Sequence, residues 1–135
     1  MDSPIKNLHY AIGEMAYCIA NIDGKVQKEE REKFHSIIVS ELKDDHDFDI
    51  SDIIFQIMDK DKQDSETVFK WAVKEVNNNS HYLSPKLKSK FINVMENIAK
   101  AFPPVTKEER DMIDKFKKLI LPLKGDPVYY ASKVR

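Results

Sequence analysis

The sequence predicts an all-α protein. It reads as one single-domain bundle of about six or seven helices, with a helix hairpin that occurs twice about an internal pseudo-two-fold. Three observations carry this. Apolar residues recur at helical spacing along most of the chain and show no convincing strand alternation. A serine–proline helix start stands at Ser3-Pro4 and again at Ser84-Pro85. The stretch from Ile19 to Arg31 returns as Ile98 to Arg110, so that Val26 meets Val105, Glu30 meets Glu109 and, without a gap, Ile12 meets Phe91 and Phe34 meets Ile113.

The elements follow in order. After Ser3-Pro4, Ile5, Leu8, Ile12, Met15, Ala16 and Ile19 line a first helix. It becomes apolar nearly all round from Met15 to Ala20, the mark of a helix in the middle of a bundle. Asp23-Gly24 stops it. A second helix runs from about Gln27 to Leu42 on Phe34, Ile37, Ile38 and Leu42, with Glu29, Glu30 and Glu32 in its first turns, where the positive helix end favours carboxylates. After the acidic loop Asp44 to Asp49, a third helix carries Ile50, Ile53, Ile54, Ile57 and Met58, and a fourth Val68, Trp71, Ala72, Val73 and Val76. The fifth holds Leu87, Phe91, Val94, Met95 and Ile98 and ends at Pro103-Pro104. Thr106 and Glu109 form a capping box that opens a sixth, which buries Met112, Ile113, Phe116, Leu119 and Ile120. Short connections make consecutive helices antiparallel neighbours, with the first and fifth at the centre. Residues 1–122 are expected to form the helical domain, and 123–135 a tail that packs on the bundle or extends from it.

Composition narrows the class. With 41% hydrophobic and 33% charged residues, the chain has the material for a core and a well-charged surface, which argues against disorder. No apolar run reaches bilayer length and the first residues carry no export signal, so the expectation is a cytoplasmic protein without membrane insertion. The one cysteine, Cys18, agrees with a reducing compartment. Residues 1–66 hold 8 basic and 16 acidic side chains, and the remainder hold 14 and 7. Either the halves attract each other within one fold, or each offers a charged face to a partner.

No catalytic set emerges, and no enzymatic activity is expected. His9, His35, His46 and His81 make no metal-ligand spacing with each other or with Cys18, and no phosphate-binding glycine loop exists. Lys86, Lys88 and Lys90 lack an aromatic stacking platform, so nucleic acid is not expected. Trp71 and Phe69 read as packing residues, with a partner groove as the alternative. The sharpest candidate is the Asp-Gly turn. Asp23 sits at the negative end of the first helix with Glu29 and Glu30 close in sequence, an oxygen-rich setting for a hard cation. Set against a calcium-binding EF-hand loop with Gly24 at its glycine place, Asn21, Asp23 and Glu30 occupy ligand places, but Ile19 stands where the first ligand belongs. The alternative is plain turn chemistry, with Glu30 capping the second helix. Asp45 to Asp49 alternates oxygens in the same manner but lacks the glycine and the closing glutamate.

The run Ile22-Asp23-Gly24-Lys25-Val26, followed by Lys28-Glu29-Glu30-Arg31 and an amphipathic helix, resembles the TerB-like (tellurite resistance protein TerB) family, and Thr106 to Arg110 resembles its second copy. The resemblance implies an all-helical bacterial protein of two related halves, non-enzymatic, tied to stress response, metal resistance or protein assembly. It also implies a divalent cation, calcium or another, at Asp23 and Glu30, and other proteins as partners, with self-association left open. Phe102-Pro103 replaces Asp-Gly in the second half, so a second cation position is not expected.

Overall fold

The computed structural model describes residues 3–22, 26–43, 47–101 and 104–130, with backbone alone at Phe48. These form seven α-helices and no strand among the described residues: α1 (Pro4–Ala20), α2 (Lys28–Leu42), α3 (Phe48–Lys60), α4 (Ser65–Asn78), α5 (Pro85–Ala101), α6 (Lys107–Ile120) and α7 (Pro127–Tyr130). A 3₁₀ turn, Ser80–Tyr82, joins α4 to α5. Asp23-Gly24, Asp44 to His46 and Phe102-Pro103 lie outside the described residues.

Both serine–proline starts behave as expected: Ser3 Oγ accepts from Lys6 N–H and Ser84 Oγ from Leu87 N–H. α1 is the central rod. Every residue from Ala11 to Ala20 is buried, polar Glu14 and Cys18 included. α4 lies antiparallel to it, with Asn7 bonded to Asn79 at one end and Asn21 to Ser65 at the other. α3 runs the same way as α1 on another side, where Ser51 Oγ donates to His9 O at 2.7 Å and the Tyr17 ring meets Phe55 edge-on. α5 closes a further side.

α2 departs from the expected hairpin. It packs on α5 and α3 rather than along α1. Phe34 stacks on Phe55 at 4.1 Å, Arg31 pairs with Asp59, His35 with Asp52, and Asn97 bonds Glu41. The physical reason is supply of surface. α3, α4 and α5 already cover α1, whereas the narrow stripe of Phe34, Ile38 and Leu42 suits the furrow between α3 and α5. The two helices expected to link the hairpins are thus α1's main neighbours. On α3, Ile54, Phe55 and Met58 turn inward and Ile53 and Ile57 stay exposed; Trp71 and Leu119, both expected inside, are each 41% exposed.

The tail packs on the bundle as far as Tyr130. Asp126 N–H donates to His81 O, and Tyr129 stacks on His81 and meets Tyr82 edge-on. Gly125 makes this possible: its φ is +66°, and a Cβ there would lie 2.4 Å from Leu83 O. Lys88 donates to the carbonyls of Leu121 and Leu123, tying the end of α6 to α5.

The α1–α3 contact is closest at Gly13, where a Cβ would fall 2.5 Å from Ser51 O and 3.0 Å from Ile54 Cβ. Gly13→Ala should gain about 1 kcal/mol of helix propensity but lose more by forcing two backbones apart, for a net destabilisation of about 1–3 kcal/mol in urea unfolding.

Candidate functional site

The two glutamates at matching places in the repeat act on their own helices. Glu30 Oε1 accepts from Gln27 N–H at 2.7 Å, and Glu109 Oε1 accepts from Thr106 N–H at 2.9 Å while Thr106 Oγ1 accepts from Glu109 N–H. Each carboxylate thereby satisfies a backbone donor that the helix start leaves open. Asp23, the other expected ligand, lies outside the described residues. Among the described residues no group of three or more His, Cys, Asp or Glu side chains is arranged to hold a metal ion.

The other singled-out residues have local roles. His9 is buried, its ring nitrogen on Ile5 O. The Cys18 thiol donates to Ser65 O, and burial pushes its pKa well up, away from nucleophilic behaviour. His35 and Asp52, 3.0 Å apart, line a hollow between α2 and α3 with Arg31, Glu32 and Phe55. Glu96 takes Arg110 and Lys117 of α6. Burial alone would raise its pKa, but hydrogen bonds from Lys117 and Arg110 hold it below the usual carboxylate range.

A concave surface runs between α4 and α6. Low-numbered residues of both helices line one cavity and high-numbered residues the next, so the two helices run the same way along it. The first cavity, of about 260 Å³, has Glu66, Glu108 and Asp111 around a floor of Ile22, Phe69 and Met112. The second, of about 430 Å³, continues over Val73 and Leu119 between Lys70, Lys74, Asn77 and Asn78. Glu66, Phe69 and Lys115 belong to both. Lys115 Nζ stands over the Phe69 ring, 4.9 Å from its centroid, and Phe69 rests edge-on against buried Phe116. The groove therefore has an apolar floor, an acidic end and a basic end. The exposed Leu119 faces it; helical spacing alone could not tell a groove-facing leucine from a core one.

A second feature lies in the core. Glu14 sits on α1, 2% exposed, with Oε1 lacking a hydrogen-bond partner. Burial first, and the negative charge of Glu75 on α4 second, push its pKa up to about 8. At neutral pH it is held as the neutral acid, which spares the core a charge. The signal was present in the sequence as a lone carboxylate between Gly13 and Met15 in an apolar helix.

No protein family, curated protein or solved structure matches the chain. No helix among the described residues is long and apolar enough to cross a membrane.

Because the Glu14 pKa is raised on folding, its contribution to stability is complete below about pH 4.5 and is lost as the pH climbs through about 8. Urea unfolding should show stability falling across that window by up to about 1.4 kcal/mol per pH unit from this group. Glu14→Gln should flatten the profile and be the more stable protein at about pH 9.

Proposed function

We propose that this chain is a non-enzymatic, TerB-like helical protein that works by contacting other proteins, and that the α4–α6 groove is the contact surface. The observation that carries the reading is the groove itself: an apolar floor, open to solvent, running between ends of opposite charge. Protein contact surfaces combine an apolar centre with a polar rim in this way, and charged rims set partner choice. The TerB-like part of the reading is supported by the sequence run around Asp23. It is also supported by the capping boxes at Gln27–Glu30 and Thr106–Glu109, and by buried residues at matching places, Leu8 with Leu87, Ile12 with Phe91, Met15 with Val94 and Ile19 with Ile98. These favour an ancestral duplication with a pseudo-two-fold relation, although the two helix pairs now have different neighbours. The resemblance also supplies the setting, stress- or metal-resistance-related assembly in a bacterial cytoplasm.

Affinity capture from extract of the source cells tests this. Proteins retained by the wild type and by Ile53→Glu, a change on exposed α3, should be retained about tenfold less by the pair Glu108→Lys with Leu119→Glu. Equal retention on the groove variant overturns the reading.

A metal-bound form of the same module rests on the resemblance, which implies a divalent cation at Asp23 and Glu30. Calorimetric titration with calcium should give heat with the wild type and none with Asp23→Asn. Glu30→Gln separates ligation from capping, because glutamine still accepts the Gln27 N–H; loss of heat with unchanged stability marks Glu30 as a ligand. No heat from the wild type sinks the calcium site.

A further inference from the structure

We infer that the occupant of the α4–α6 groove is an amphipathic α-helix of a partner protein, lying with its basic end over Glu66, Glu108 and Asp111 and its acidic end over Lys70 and Lys74. This rests on the groove reading above and adds the partner's shape and charge order.

The shape follows from what lines the groove. Its walls are two helices, whose backbone N–H and C=O groups away from the helix ends are already paired internally. An extended peptide would find no strand edge to bond with and would leave its own backbone groups unmatched against an apolar floor. A helix satisfies them within itself. The length agrees: Glu66 to Asn77 spans about 16 Å at 1.5 Å per residue, three turns of a docked helix. Phe69 and Val73 on α4, with Met112 and Leu119 on α6, form a continuous apolar strip along that length. Such a strip accepts side chains presented at i, i+3 or i+4, and i+7.

The charge order follows from the rim. The starts of α4 and α6 both lie at the acidic end and bring partial positive charge there, but Glu66 and Glu108 stand in those first turns and answer it. Asp111 adds a further negative charge, and Lys115, which lines both cavities, offsets one of the three carboxylates, so the end remains acidic. Further along, about 6 and 12 Å from Glu66 at 1.5 Å per residue, Lys70 and Lys74 stand exposed ahead of the carboxamides of Asn77 and Asn78. An anionic lipid surface or nucleic acid is repelled by the first end. A compact small molecule, even one that meets both signs, covers only part of an apolar strip that runs about 16 Å along α4. A helix of matching polarity meets both.

The test uses the full chain, isotopically labelled, and a synthetic helix with a leucine stripe, lysines at one end, glutamates at the other and a nitroxide on the lysine end. Saturable binding is expected, with line broadening strongest at the amides of residues 108–111 and weak at Asn77 and Asn78. The triple change Glu66→Lys, Glu108→Lys, Asp111→Lys should weaken binding about tenfold, since three rim pairs are each worth a modest factor. Its far-ultraviolet dichroism reports the fold. If that variant unfolds, Glu108→Lys alone should weaken binding about threefold. Broadening strongest at Asn77 and Asn78, or affinity unchanged by the charge swap, overturns the charge order while the groove reading stands. No binding of the helix, with groove-dependent capture still present, overturns the helical occupant alone. Loss of both overturns both.

Discussion

An α-helix without a solvent face needs neighbours on every side, and α1 is such a helix from Ala11 to Ala20. Its burial sets the rest of the arrangement. α4 takes one flank through the Asn7–Asn79 and Asn21–Ser65 ends, α3 another through the close approach at Gly13, and α5 a third. What is left for α2 is a place outside, across α3 and α5. Burial of this extent is the main favourable term in folding, and it is close-packed rather than oily, which is why a single methyl at Gly13 matters.

Much of this was legible in the sequence. The helix starts, the capping boxes, the apolar girdle of α1 and the absence of strands among the described residues all follow from local chemistry, and local chemistry is what a sequence displays most directly. The pairing of helices was less legible. Short loops argue for hairpins, but α2 lost its place beside α1 to helices with wider apolar faces, a competition decided only in three dimensions. The same limit applies inside α3, where five apolar residues stand close together in the sequence but Ile53 and Ile57 face solvent.

The candidate site was legible in part. Glu30 could be read as a ligand or as a cap, and its bond to Gln27 N–H fills the capping role. The groove could not be read, because its rim comes from α4 and α6, distant in sequence, and its charges look like ordinary helix-end preferences: Glu66 and Glu108 in first turns, basic residues further along. One arrangement satisfies both demands. Two helices laid side by side in the same direction, each with a carboxylate in its first turn and lysines further along, give the furrow between them a negative end followed by a basic stretch.

The central position of α1 also bears on how the chain is made. It leaves the ribosome ahead of all the helices that cover it, and α5 begins some 65 residues after α1 ends. At about 5–20 residues per second that is a wait of several seconds. For that interval a largely apolar rod is without shelter. The nascent chain must shield it by transient collapse or by a chaperone's grip, and aggregation is the competing fate.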